Sequence, residues 1–307
     1  MTPDTPIALT GGTGFVGQAV CDLVEEQGLR ARALARRVPD ADRKGIEWLE
    51  GDLANPHALA TLCEGADAVI HIAGLTNTPD PEQFDAVNVA GTQAVLDAAR
   101  ANGIKRFILV SSLSAREPKL SRYGASKAKA EELVQGSGLD WTIVRPPAVY
   151  GPRDIDMFEL FRSAKWGVVP LPPCGATSII HVHDLAHLLL NLIPNVPSLR
   201  RKIFEPDDAR EGGWSHKELG KAIGEAMGRR VFAPHLPASV LRAAAGVDRI
   251  LRMDNAKLTP DRVGYMTHPN WIARSDRAVP VEVWQPRIPG VAGLKQTAEW
   301  YRENGWL

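Results

Sequence analysis

The chain has 307 residues, of which 44% are hydrophobic and 23% charged, enough for a large α/β domain with a small appended lobe and a sizeable core. Its 36 basic residues equal its 36 acidic ones, which argues against a global basic field for nucleic acid. Cys21, Cys63 and Cys174 are scattered, with no metal-ligand spacing and no basis for a disulfide framework. The N-terminus carries no signal-peptide pattern, and no apolar run is long enough to span a bilayer. The expectation is a cytoplasmic protein that binds no metal and no nucleic acid.

In chain order, Ile7 to Leu9 reads as a strand and Phe15 to Glu26 as a helix with Cys21 on its apolar face. Further strands are predicted over Arg30–Ala35, Ile46–Leu49 and Ala68–Ala73. A helix over Phe84–Ala101 precedes a strand at Arg106–Val110, and a helix over Tyr123–Val134 precedes one at Trp141–Val144. Such alternation predicts an α/β fold: a Rossmann-type, doubly wound parallel sheet with right-handed crossovers. Beyond Gly151 the rhythm changes. A strand-like run over Ser178–Val182 leads into a helix from Asp184 to Leu192. Ser215 and Glu218 form a capping box for another helix that Gly228 would stop. We therefore expect residues 1–150 to be a dinucleotide-binding domain and 151–307 a smaller substrate lobe, partly threaded back onto the main sheet.

Thr10-Gly11-Gly12-Thr13-Gly14-Phe15-Val16-Gly17 follows the first strand and opens the first helix. Small residues there let the backbone turn tightly and approach a pyrophosphate, which the helix N-terminus attracts. NAD sites place an acidic side chain at the end of the second strand to hold the ribose 2′-hydroxyl. This chain has Arg36 and Arg37 there instead, two guanidinium groups suited to a 2′-phosphate. NADP(H) is the expected cofactor, with NAD(H) as the alternative. Asp52 ends the third strand, placed for the adenine edge or for a simple loop or N-cap role.

Tyr123 and Lys127 stand one helical turn apart after the fifth strand and Ser112. An ordinary phenol has a pKa near ~10, and an ammonium group on the same helix face stabilises its phenolate. Together with the glycine loop, Asp52-Leu53, Ile72-Ala73-Gly74, Asn88-Val89-x-Gly91-Thr92, Arg145-Pro146-Pro147-Ala148-Val149-Tyr150-Gly151-Pro152 and His181-Val182-His183-Asp184, these residues resemble the extended and atypical short-chain dehydrogenase/reductases. The resemblance covers nearly the whole chain. It implies Ser112, Tyr123 and Lys127 as the catalytic set, with Ser112 orienting the substrate oxygen, Ser111 structural and Ser114 a weaker candidate. It implies cofactor contacts from the glycine loop, Asp52, Leu53, Ala73, Gly74, Lys127, Pro146, Ala148 and Val149. His71, His181 and His183 are read as core or supporting residues.

Three activities fit that family. The first is a carbonyl reductase or hydroxy dehydrogenase with net redox. The second is a nucleotide-sugar epimerase or dehydratase that returns its hydride to the cofactor. The third is a non-catalytic NADP(H)-binding subunit, as in the branch with an accessory subunit of respiratory complex I. The Tyr/Lys pair argues against the third. Ala148 stands where the sugar-nucleotide enzymes usually carry asparagine, and Arg36 favours NADP(H), so the first reading leads. The Pro-Pro-x-Val-Tyr-Gly-Pro form is similar to the hydroxysteroid dehydrogenase and flavonoid reductase branches. Leu75, Leu113, Met157, Phe158 and Phe161 are expected either to line an apolar substrate wall, for a bulky ligand such as a long-chain ketolipid, or to form the core of the second lobe. Pro237 to Met253 mixes apolar residues with arginine, a composition compatible with peripheral membrane contact or with an ordinary packed amphipathic helix.

Overall fold

The computed structural model describes residues 5–253 and 256–307. Its first compact unit comprises residues 1–76, 80–145 and 185–204, and its second comprises residues 77–79, 146–184 and 205–307.

The first unit is built on a sheet of seven parallel strands. These are β1 (Ile7–Thr10), β2 (Ala31–Ala35), β3 (Ile46–Glu50), β4 (Ala68–His71), β5 (Arg106–Val110), β6 (Asp140–Val144) and β10 (Lys202–Phe204). They stand in the order β10-β6-β5-β4-β1-β2-β3. The order reverses between β1 and β4, the switch point outside whose carboxyl ends α/β sheets bind ligands. The crossovers are α1 (Phe15–Glu26), α2 (Pro56–Cys63), α4 (Gly91–Ala101) and α5 (Arg122–Gln135). Leu59, Leu62, Val69, Val95, Leu96, Phe107, Val134 and Ile143 pack into one core on this sheet. β4 and β5 are buried along their whole length, as expected of strands covered on both faces. Cys21 is buried, and burial pushes its thiol up to about 11.

Three features go beyond the sequence-based elements. Asn55 caps α2 by accepting from the His57 and Ala58 amides. The long helix expected from Phe84 is instead α3 (Glu82–Phe84), a π-helical stretch (Asp85–Ala90) and then α4. β10 adds to β6 from a distant part of the chain, through Lys202–Thr142, Ile203–Ile143 and Phe204–Val144 pairing. Buried Arg106 anchors that edge. Its guanidinium donates to the carbonyls of Leu192 and Asp140 and to the Thr142 hydroxyl, so a charge taken from water keeps its hydrogen bonds.

The second unit holds a two-stranded parallel sheet of β7 (Ala148–Tyr150) and β9 (Ile179–His181). It also holds a three-stranded sheet made of β8 (Ala176–Thr177), β11 (Trp214–Ser215) and β12 (Asn270–Trp271), in the order β11-β8-β12. Its helices are α6 (Phe158–Ala164), α8 (His216–Ala226), α9 (Ala238–Arg252), α10 (Pro260–Met266) and α11 (Gly290–Glu303). The expected capping box on Ser215 and Glu218 starts α8. α7 (Val182–Asn191) follows β9 and carries the chain back into the first unit. Among the described residues no helix is long and apolar enough to cross a membrane.

Candidate active site

The glycine loop follows β1 at the switch point. Gly11 adopts φ 78°, and a side chain there would stand 2.7 Å from the Ala73 amide nitrogen. A Cβ on Gly17 would collide with the Gly11 carbonyl oxygen, a clash that no rotamer relieves. A Cβ on Gly12 would meet Ala33 and the Trp48 ring at 3.2 Å. These glycines hold the loop, α1 and the strand ends in close contact. Thr13 and Gly14 are exposed, and Phe15 and Val16 open α1. No side chain caps α1, and its first turn carries no acidic residue. That leaves its positive end suited to a pyrophosphate.

Arg36 and Arg37 are exposed immediately after β2. The β1–β2 register pairs Thr10 with Leu34, which sets Arg36 two residues past that pair, at the glycine-loop end of the sheet. Asp52 is exposed and its carboxylate accepts from the Ala54 amide, a turn leading into α2. Leu53 packs on Gly91, where a Cβ would meet it at 2.7 Å.

α5 carries Tyr123 and Lys127. Ser121 caps it by accepting from the Gly124 amide at 2.9 Å. Gly124 lets the helix approach the turn after β5, since a Cβ there would stand 2.7 Å from the Ser114 carbonyl oxygen. In that turn the Ser114 hydroxyl donates to the Ser112 oxygen at 2.9 Å. Close approach of α5 thus brings Tyr123 beside the Ser112 loop. Tyr123 is buried, with its ring 5.9 Å from that of Phe84.

Lys127 is buried, and its ammonium donates to the Val110 carbonyl at 2.8 Å. A Cβ on Gly74 would lie 3.5 Å from that nitrogen, so the Ala73-Gly74 backbone passes beside the charge. Burial pushes the Lys127 pKa down to about 8, and the Glu131 carboxylate acts in the opposite direction. The group is still protonated at neutral pH.

Glu131 and Asn88 acquire supporting roles that their positions in the chain did not indicate, and His71, expected as a core or supporting residue, acquires its partners. Glu131, one turn beyond Lys127, accepts from the Ser111 hydroxyl at 2.5 Å and from Arg145 at 2.8 and 2.5 Å. Ser111 therefore serves the α5–β5 contact. The i, i+4, i+8 series Tyr123, Lys127, Glu131 is the signal that could have found it. Asn88, in the π-helical stretch, accepts from the Leu75 amide and donates to the Leu75 carbonyl and the Ser126 hydroxyl. It ties the strand-end loop to α5. His71 joins this frame to the glycine loop. Thr92 uses its proton on the Asn88 carbonyl, so its oxygen accepts from His71 Nε2–H. Nδ1 then accepts from the Thr10 hydroxyl, whose oxygen takes the Ala73 amide. Burial first, and the Lys127 charge second, push His71 down to about 3, which keeps this tautomer neutral.

The expected substrate residues differ in exposure and packing. Leu113 and Phe161 are buried, and Met157 and Phe161 belong to the core of the second unit. Phe158 packs edge-on against Tyr301 and Trp306. Of the expected set only Leu75 and Phe158 retain partial exposure. Pro146, Ala148 and Val149 fall in the second unit, the last two on β7. His181 is buried there against Tyr150, with His183 beside it.

A family model described as NAD(P)H-binding matches residues 11–193. The chain belongs to the NAD(P)H-binding family. It is 37% identical over 316 aligned residues to the ceramide reductase of Caulobacter vibrioides, covering 98% of this chain and 96% of that protein. It is 32% identical to the 2-alkyl-3-oxoalkanoate reductase of Stenotrophomonas maltophilia, covering 60% of this chain and 64% of that protein. The UDP-glucose 4-epimerase of Thermus thermophilus, solved as a complex with NAD, has the same fold: TM-score 0.70, 20% identity, 97% of this chain and 99% of that chain. This NAD(P)H-binding protein is an oxidoreductase, and it shares its fold with an epimerase.

Proposed function

We propose that the protein is an NADP(H)-dependent reductase of a ketone on a long-chain, ceramide-type lipid. The observation that carries the reading is the likeness to ceramide reductase along nearly the full length of both chains. The amide carbonyl of a ceramide is stabilised by its nitrogen and accepts hydride poorly, so the reacting group is a ketone on the long-chain base. NADPH supplies the hydride when bound. The uncapped N-terminus of α1 would hold the pyrophosphate, and Arg36 with Arg37 the 2′-phosphate.

The residues on α5 and β5 divide the remaining work. Ser112 holds the carbonyl oxygen. Tyr123 donates its phenolic proton to that oxygen as hydride reaches the carbon, which yields the secondary alcohol. Lys127 stabilises the phenolate left behind, and its low local dielectric strengthens the effect. The frame of Asn88, Ser126, Glu131 and Arg145 fixes α5 against the strand ends, so these groups need no reorganisation during transfer.

The test is NADPH consumption with 3-oxo long-chain ceramides, 2-alkyl-3-oxoalkanoates and UDP-sugars. Turnover of the oxo-ceramide with alcohol formation supports the proposal. Turnover or tight binding of UDP-sugars alone, without net NADPH consumption, would replace it with the epimerase reading.

A further inference from the structure

The second unit presents an apolar face where the strand pattern calls for a polar one. Val168 and Phe232 form a parallel bridge, with the Phe232 amide donating to Gly167 and the Val169 amide to Phe232. Paired residues on neighbouring strands point to the same side, and their chain neighbours to the other. Val169 and Val231 accordingly join the core of the unit, which turns Val168 and Phe232 outwards. Phe232 is 70% exposed. Trp166, in the turn after α6, is 82% exposed. Its turn is ordered by bonds from the Trp166 amide to Ser163 and from the Gly167 amide to Ala164, and Gly167 takes the left-handed φ of 76° that such a turn requires. The two rings are therefore held in water by defined backbone.

The charge beside them in sequence is of one sign. Lys165, Arg229 and Arg230 are exposed beside the two aromatics in sequence. No aspartate or glutamate occurs from residue 160 to 183 or from 226 to 247, although the chain carries 36 acidic residues in 307. At that average frequency the two stretches would hold several. α9, six residues beyond Phe232, is also rich in apolar and basic residues. Leu241 and Ala245 pack against Val263, while Val240, Val247, Ile250 and Leu251 form an outward stripe. Ile250 is 79% and Leu251 76% exposed. Arg242, Arg249 and Arg252 are exposed on the same helix, which also carries Asp248, paired with Arg252.

We propose that Trp166, Val168 and Phe232, with Lys165, Arg229 and Arg230, dock this protein on an anionic phospholipid bilayer, and that the outward stripe of α9 adds a second contact. Aromatic rings favour the headgroup level. Cations beside them are drawn to anionic lipid, and the two stretches that carry the aromatics add no acidic group to oppose it. The surface stands whatever the substrate is, and its test involves no turnover.

The experiment is cosedimentation of the full chain with vesicles of phosphatidylcholine alone and of phosphatidylcholine mixed with phosphatidylglycerol. Binding is expected only with phosphatidylglycerol, and salt should weaken it. The W166S/F232S variant should lose at least roughly tenfold in partitioning. R229A/R230A should lose about fivefold for each arginine removed. Retained NADPH affinity and unchanged circular dichroism establish that both variants are folded. No binding to the mixed vesicles, or undiminished binding by W166S/F232S, overturns the proposal. A dimer in light scattering that W166S/F232S converts to monomer also overturns it, because the face would then belong to a second copy of the chain.

Discussion

Lys127→Met separates the energetic cost of the buried ammonium from its catalytic use. The wild-type group is buried beside Val110 and Gly74, and its pKa falls from 10.5 to about 8. The folded state therefore binds fewer protons than the unfolded state between those two values. Stability rises with pH in that window, and the desolvation cost is fully present below about 8. The two binding curves give a gain of about 2 kcal/mol for wild type between about pH 7 and about pH 9.5. Methionine cannot titrate, so the variant lacks this gain, while groups not coupled to Lys127 contribute equally to both proteins. Urea unfolding of the cofactor-free proteins across that range should show the wild-type curve rising about 2 kcal/mol relative to the variant. The sign of the difference at neutral pH also depends on the lost bond to Val110, and the slope does not. Parallel curves would refute the reasoning, because they would mean that Lys127 keeps an ordinary pKa in the folded protein. The variant should also lose turnover.

Arg36→Ala should weaken NADPH binding far more than NADH binding, by roughly 1.5–3 kcal/mol for a lost charge-assisted bond; equal losses in fluorescence titration would count against the 2′-phosphate assignment. Tyr123→Phe should keep fold and cofactor affinity and lower turnover by roughly 10²-fold or more, and near-normal turnover would point to another acid. Gly17→Ala drives a methyl into the Gly11 carbonyl, so NADPH affinity measured by calorimetry should collapse; wild-type affinity would show that the loop can shift. Glu131→Gln removes the carboxylate that opposes the fall in the Lys127 pKa and pairs with Arg145. It should lower the upper apparent pKa of the pH–rate profile, and an unchanged profile would confine Glu131 to packing.

Much of this protein is local in origin and so legible in sequence. The strands β1 to β6 and their helices follow from hydrophobic periods within short windows, and parallel order follows from their alternation. α1 begins and ends where its pattern does, from Phe15 to Glu26. The glycine loop and the Tyr123–Lys127 spacing could be read because each depends on residues a few positions apart. Other features depend on contacts between distant residues. β10 joins β6 across more than fifty residues, a pairing that no local window contains. The π-helical turn puts Asn88 between Leu75 and Ser126, and a helical period alone predicts a regular helix there. The His71 tautomer is set by Thr10 on one strand and Thr92 on a helix. Sequence pattern left Met157 and Phe161 equally suited to a ligand wall or to a core, since apolarity is common to both; packing against Tyr150, Leu294 and Tyr301 decided for the core. The same ambiguity ran the other way for Trp166 and Phe232. Apolar character alone predicts burial for both, yet both are exposed, Phe232 because its pairing with Val168 turns it outwards. Periodicity tells which residues share a face, but the neighbour that covers that face, or leaves it bare, comes from chain far away in sequence.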